Sequence, residues 1–340
     1  MADATEEFSK YNLSGCFDLH TLAESRPKRS PTGFKKFDEL LGGGLAAELY
    51  VLGAVSSLGK STLLLQIAEE ISSKGTPVLY FSLEMPRKNI AFVSVSRESY
   101  KRKKPISISE LMKDGKKDKE LAKTAAACAK RAKALYIIER DDIMTHDKVF
   151  SANTVCKFTE RFIEKHGQKP IVIVDYLQLL QSSDSTVSYS ERRTVDHNIT
   201  VLWNLSHQHD IPVIVISSVG RENYEKAIGL ASFKESGGIE FSADVVLGMQ
   251  FPEAGQKDFD LTAAKRADPR RLELVILKNR YGVSSEKISF NYYPAYGFFE
   301  EAESEKPQAK KRKSRNTEKA PKTDYSKLIG SGDMLKGKSK

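Results

Sequence analysis

The chain has 340 residues, 40% hydrophobic and 29% charged, as expected of a soluble globular protein with room for one large domain and its tails. No apolar run approaches the ~20 residues of a membrane span, and the acidic, polar start (MADATEEFSKYN) has no basic stretch leading into an apolar core, so neither a membrane protein nor a secreted one is expected. The net charge is +9, but residues 303–340 hold twelve Lys/Arg against five Asp/Glu, so that +7 sits in the tail and only +2 in the 302 residues before it. A basic pI therefore does not by itself mark the folded part as a nucleic-acid binder.

In chain order, residues 1–30 are polar and irregular and read as an arm or linker. From 31 to 301 short β-rich apolar runs alternate with helical stretches, at 49–53, 78–82, 136–139, 171–175, 213–217, 245–249, 272–277 and 287–290. Buried runs separated by helices predict an α/β fold with a mostly parallel central sheet and helices on both faces. The last strands are closely spaced and predict an antiparallel edge. The Lys- and Ala-rich stretch before residue 135 favours a helix with a solvated charged face. Residues 302–340 are too poor in apolar groups to bury a core and read as a disordered basic tail; it is either a weak tether to nucleic acid or a solubilising tail. Cys16, Cys128 and Cys156 lie far apart without metal-ligand spacing and read as reduced thiols of a cytoplasmic protein.

The run ELYVLGAVSSLGKSTLLLQIAEEISSKG contains strand, loop and helix in the order that a phosphate-binding loop requires. Gly53, Ala54, Ser57, Gly59, Lys60, Ser61 and Thr62 form the candidate nucleotide cradle. Loop N–H groups and the helix N-terminus favour an anion there; Lys60 would reach the outer phosphates of ATP, and the Ser61 hydroxyl would ligate Mg²⁺. The usual pattern has Gly where this chain has Ala54, and a plain strand–turn–helix is the competing reading. Two acids downstream weigh against it. Asp175 ends the strand KPIVIVD, where a carboxylate can hold the metal with Ser61. Glu84 follows the strand VLYFS, where it would orient or deprotonate an attacking water.

These residues carry a resemblance to the ATPase domain of DnaB-type replicative helicases, within the wider RecA-like group of P-loop ATPases. It covers residues 31–301. PTGFKKFDELLGGGL resembles the family's lead-in, and GAVSSLGKST its variant phosphate loop with Ala in the first Gly position. FSLEMP, VDYLQLL, FKESGGIEFSADVVLGM and LKNRYG resemble further family segments. The resemblance implies that Glu84 is catalytic, that Asp175 is the metal-holding acid, and that Lys278 and Arg280 reach a neighbouring subunit's nucleotide. It thereby implies a homo-oligomer, expected to be a hexameric ring moving 5′ to 3′ on single-stranded DNA, with a loader or primase as further partner. In IPVIVISSVGREN, Ser218 stands where the family has a phosphate-sensing Gln and Gly220 where it has Asn, while Arg221 is retained. Only about thirty residues precede the domain, in contrast to the family's helical collar. DNA contacts are expected in 181–193 and 221–234, at Arg193, Arg221, Lys226 and Lys234, with Tyr224 as a stacking platform. The alternative is a RadA/KaiC-like DNA-dependent ATPase that assists recombination or replication without unwinding. His197, His207 and His209 lack a metal geometry and read as solvated or capping residues.

Overall fold

The computed structural model describes residues 26–113, 119–144, 149–182, 190–233 and 237–302. Among these, β1 (Leu49–Ala54), β2 (Val78–Ser82), β3 (Leu135–Glu139), β4 (Ile171–Asp175), β5 (Val213–Ser218), β6 (Val245–Gln250), β7 (Arg270–Asn279), β8 (Lys287–Tyr293) and β9 (Phe298–Glu301) form one sheet. Its order is β3-β2-β4-β5-β1-β6-β7-β8-β9. β3 to β6 pair in parallel and β6 to β9 antiparallel. The parallel register puts the C-terminal ends of β1, β2, β4 and β5 on one edge, with Ser82 opposite Asp175 and Ala54 opposite Ser218. Ligands of open α/β sheets bind at that edge. The predicted antiparallel edge is present; β9, which was not expected, completes it. Its Phe299 exchanges two hydrogen bonds with the Gln66 side chain, at 2.8 and 2.9 Å.

The described helices are α1 (Lys35–Leu40), α2 (Lys60–Ser73), α3 (Arg87–Lys101), α4 (Ile108–Lys113), α5 (Lys119–Arg131), α6 (Arg140–Met144), α7 (Ala152–His166), α8 (Glu191–His209), α9 (Gly237–Ser242) and α10 (Leu261–Arg266). Alternation along each strand feeds two cores. Tyr50 and Leu52 face α2, with Leu63, Leu64 and Ile67. Leu49 and Val51 face α7 and α8, with Val155, Ile199 and Leu202. The Lys/Ala-rich stretch forms α5, of which only Thr124 is buried, in line with a solvated face. Arg97 of α3 is 1% exposed and bonds Glu69 of α2 at 2.6 Å and the Gly297 carbonyl at 2.7 Å, so that a buried ion pair joins α3 to α2 and a hydrogen bond ties both to the turn before β9. Ahead of the expected start at 31, Ser30 already pairs with Leu45, and Arg29 bonds the Leu41 and Gly44 carbonyls. The arm up to residue 25, Cys16, Lys234, most of the first DNA-facing loop (183–189) and the tail from 303 lie outside the described residues; Cys128 and Cys156 are free thiols.

Candidate nucleotide site

The loop after β1 turns sharply into α2. Gly59 has φ +95°, and a side chain there would also meet Phe299 and Tyr292 at 2.9–3.0 Å, so glycine is required twice over. Ser57 takes φ +66°, a conformation uncommon outside glycine, and Arg270 Nη1 donates to its carbonyl at 2.9 Å. A cavity of ≈ 630 Å³ opens at this edge, lined by Ser57, Gly59, Lys60, Ser61, Thr62, Glu84, Asp175, Ser218 and Tyr292 among others. Six of the expected nucleotide residues (Ser57, Gly59, Lys60, Ser61, Thr62 and Ser218) therefore share one cavity with Asp175 and Glu84. Gly53 and Ala54 do not line it. Gly53 lies inside β1, where a methyl would stand 2.3 Å from the Phe233 ring; its lack of a side chain serves that ring. Ala54 contributes its carbonyl, which accepts from Lys60 Nζ at 3.0 Å, with the Val55 carbonyl at 3.3 Å.

Burial pushes the Lys60 ammonium below its usual range, against the attraction of Asp175 and Glu84, while Lys265 adds repulsion. Asp175 is 1% exposed. Burial raises its carboxyl above the usual carboxylate range, with Ser61 and Tyr80 opposing the shift. Tyr80 donates to Oδ2 at 2.8 Å, and Oδ1 is buried without a hydrogen-bond partner. An orphaned carboxylate oxygen beside a serine hydroxyl fits Mg²⁺, which takes one or two protein oxygens and completes its shell with water and phosphate. Glu84 is exposed on the loop after β2. That loop is fixed from below: Leu83 N donates to the Asp175 carbonyl at 2.9 Å and Ser82 Oγ to the Met85 carbonyl at 2.6 Å. Ser218 is held by Gln178, whose Oε1 accepts from Ser218 N at 3.1 Å and whose Nε2 donates to Ser217 Oγ at 2.9 Å. Gln178 lies inside the VDYLQLL string and was not singled out from sequence.

Lys278 and Arg280 stand at the other end of the sheet, opposite the start of β6. The six residues of β1 put roughly 17 Å between the two ends. Lys278 Nζ donates to the Glu240 and Ala243 carbonyls at 2.7 and 2.6 Å. Arg280 pairs with buried Asp244 at 3.1 Å. Asp244 also accepts from Leu49 N at 2.9 Å and lies 3.5 Å from Trp203 Nε1 and from His207 Nε2. His207 is exposed at the last turn of α8, in keeping with a solvated or capping residue, with Nδ1 3.0 Å from the Trp203 carbonyl and its ring stacked on Trp203 at 4.0 Å.

Of the expected DNA contacts, Arg193 lies in the exposed first turn of α8, and Arg221 and Lys226 are exposed on residues 221–233. Tyr224 is not a free platform: it packs against the core, with its hydroxyl 3.4 Å from Ser56 Oγ.

The family model for the DnaB-like helicase C-terminal domain matches residues 30–301. The chain belongs to the DnaB-like helicase C-terminal domain family. The replicative DNA helicase DnaB of Leifsonia xyli is 30% identical over 267 residues, which are 76% of this chain and 53% of that protein. The chain thus spans about half the length of the curated relatives it matches. Among solved structures, an isolated ATPase domain superposes with a TM-score of 0.69 at 21% identity, over 86% of this chain and 97% of that one. A DnaB-like replicative helicase described with its primase interactions superposes at 0.68 and 21%, over 84% and 65%. The superpositions show the RecA-like fold, and the family match places the chain with the DnaB-like rather than the RadA/KaiC-like group. No described helix is long and apolar enough to cross a membrane.

Proposed function

We propose that the chain is an ATP-hydrolysing motor that moves on single-stranded DNA and unwinds duplex DNA, 5′ to 3′, as a ring of identical subunits, with six the expected number. The observation that carries this is the single cavity that joins Lys60, Ser61, Glu84 and Asp175 in a member of the DnaB-like family. Loop N–H groups and Lys60 hold the phosphates of ATP. Ser61 and Asp175 would hold Mg²⁺, which would supply positive charge to neutralise the outer phosphates. Glu84, beside but not beneath the metal acid, orients the attacking water and accepts its proton.

Lys278 and Arg280 cannot serve their own chain's cavity from the far end of the sheet. In a ring, that end of one subunit faces the neighbour's cavity, and the two cations stabilise charge on the transferring phosphoryl group in trans. To do so Arg280 must leave Asp244, and Lys278 its two carbonyls. Arg193, Arg221, Lys226 and Lys234 track DNA phosphates on the channel side. Primase and a loader are the further partners this reading carries, the first by likeness to the helicase described with primase.

The test is ATP turnover with and without single-stranded DNA, together with strand displacement, using Lys60→Ala as the control. Turnover that DNA stimulates, with displacement that the control lacks, is expected. Turnover without displacement would leave the ATPase and remove the helicase.

A further inference from the structure

Residues 251–269 connect β6 to β7, and Arg270, directly after them, donates to the Ser57 carbonyl of the phosphate loop. They carry α10 and, on it, Lys265. Among the described residues the Lys265 ammonium has no hydrogen-bond or ion-pair partner; it lies 5.9 Å from the centre of the Tyr224 ring. An aromatic face is a weak partner for a cation compared with a phosphate oxygen. The same ring carries the hydroxyl that lies 3.4 Å from Ser56 Oγ at the crest of the loop. Lys265 is also close enough to Lys60 to repel it, and a polyanion between them would turn that repulsion into shared attraction.

Tyr224 belongs to residues 221–233, which are tied on every side. Val219 bridges Phe233, and Gly220 N donates to the Ser232 carbonyl at 3.0 Å. The Phe233 ring rests on Gly53 of β1. Residues 251–269 join from the other side, where Gly255 N donates to the Glu225 carbonyl at 2.7 Å, while Ile228 N donates to Gln250 Oε1 at 2.8 Å. The exposed cations Arg221 and Lys226 flank Tyr224 on this same segment. Movement of Lys265 from ring to phosphate therefore acts on a segment held to the phosphate loop through Tyr224, to β1 through Phe233, to β6 through Gln250 and to residues 251–269 through Gly255.

We propose that Lys265 is a second cation of its own chain's phosphate site, and that through the Tyr224–Ser56 contact it passes phosphate occupancy to residues 221–233. Lys265 acts on the terminal phosphate; Tyr224 is a positioning residue. The proposal rests on the ATP site described above and deepens it.

Hydrogen–deuterium exchange on the full chain, with ATPγS·Mg²⁺ against ADP·Mg²⁺, tests it. In the wild type, both nucleotides protect the phosphate loop, and ATPγS slows exchange in 221–233 by about fivefold or more beyond ADP, the lower end of typical coupling between sites. Lys265→Ala and Tyr224→Phe keep the phosphate-loop protection and lose the 221–233 difference; Lys265→Arg retains it. The proposal is overturned if both variants keep the wild-type difference, or if they lose it only along with phosphate-loop protection. If neither nucleotide protects the wild-type loop, the ATP site itself is wrong and this relay falls with it.

Discussion

At the C-terminal ends of β1, β2 and β4 a buried carboxylate oxygen is left without a partner, whereas at the opposite end of β1 the buried carboxylate is fully engaged. Asp175 keeps one buried oxygen without a partner, and Lys60 rests on two carbonyls of its own loop. Roughly 17 Å away, Arg280 is paired with a carboxylate that also holds Leu49 N, and Lys278 is capped by two carbonyls. The first end has the unpartnered oxygen and the cation that the proposed metal and phosphates would engage. The second has its carboxylate and its lysine partnered within the chain, and on the proposed function a neighbour would have to draw the two cations away. On the proposed function, one chain holds two halves of a catalytic site facing opposite ways.

The largest expected effect attacks the closed end. Arg280→Ala should lower ATP turnover by about 10³-fold, as removal of a trans arginine does elsewhere, with nucleotide affinity unchanged because the cavity is untouched; steady-state kinetics beside equilibrium binding of a fluorescent ATP analogue will show the split. Glu84→Gln attacks the open end. Turnover should fall by about 10²-fold or more while ATP still binds, and a Gln variant as active as the wild type would remove Glu84 from the chemistry.

Gly53→Ala separates phosphate binding from packing. The added methyl would stand 2.3 Å from Phe233, so the expected loss is stability, about 1–3 kcal/mol in denaturant unfolding; a loss confined to nucleotide affinity would return Gly53 to the cradle. The smallest effect is on pH dependence. Burial raises the Asp175 carboxyl, so the folded chain holds that proton to higher pH than the unfolded chain. Stability then falls as pH rises from the ordinary carboxylate range through the folded value, and the full penalty is present above it. Asp175→Asn should therefore melt higher than wild type at neutral pH, with the gap closing as pH falls towards about 4, although it cannot turn over ATP.

What could be read from the sequence was local. A strand, a turn and a helix in succession announced Gly59, Lys60 and Ser61, and β-branched runs ending in an acid announced Asp175. The distant pairings left no such mark. Phe233 on Gly53 joins residues 180 apart, and nothing near either one announces the contact. Tyr224 read as a free aromatic because the Ser56 hydroxyl and α10 that hold it lie far away in sequence. β9 is four residues long with two acids, too short for alternation to show, and depends on Gln66. Asp244 lies within a string quoted for its family resemblance, yet its role as the anchor of Arg280, Trp203 and His207 appears only once β6 and β7 are paired. Gln178 is the exception: it stood in a string already singled out, just past the strand end, and could have been named.

The most direct test of a site split between neighbours is a mixing experiment. Lys60→Ala destroys a subunit's own cavity but leaves its Arg280; Arg280→Ala does the reverse. Each alone should be inactive. Mixed and reassembled, the two should regain ATP turnover, because a Lys60→Ala subunit lends its Arg280 to the intact cavity beside it. A mixture as inactive as its parts, with mixed assembly verified by mass, would contradict the account.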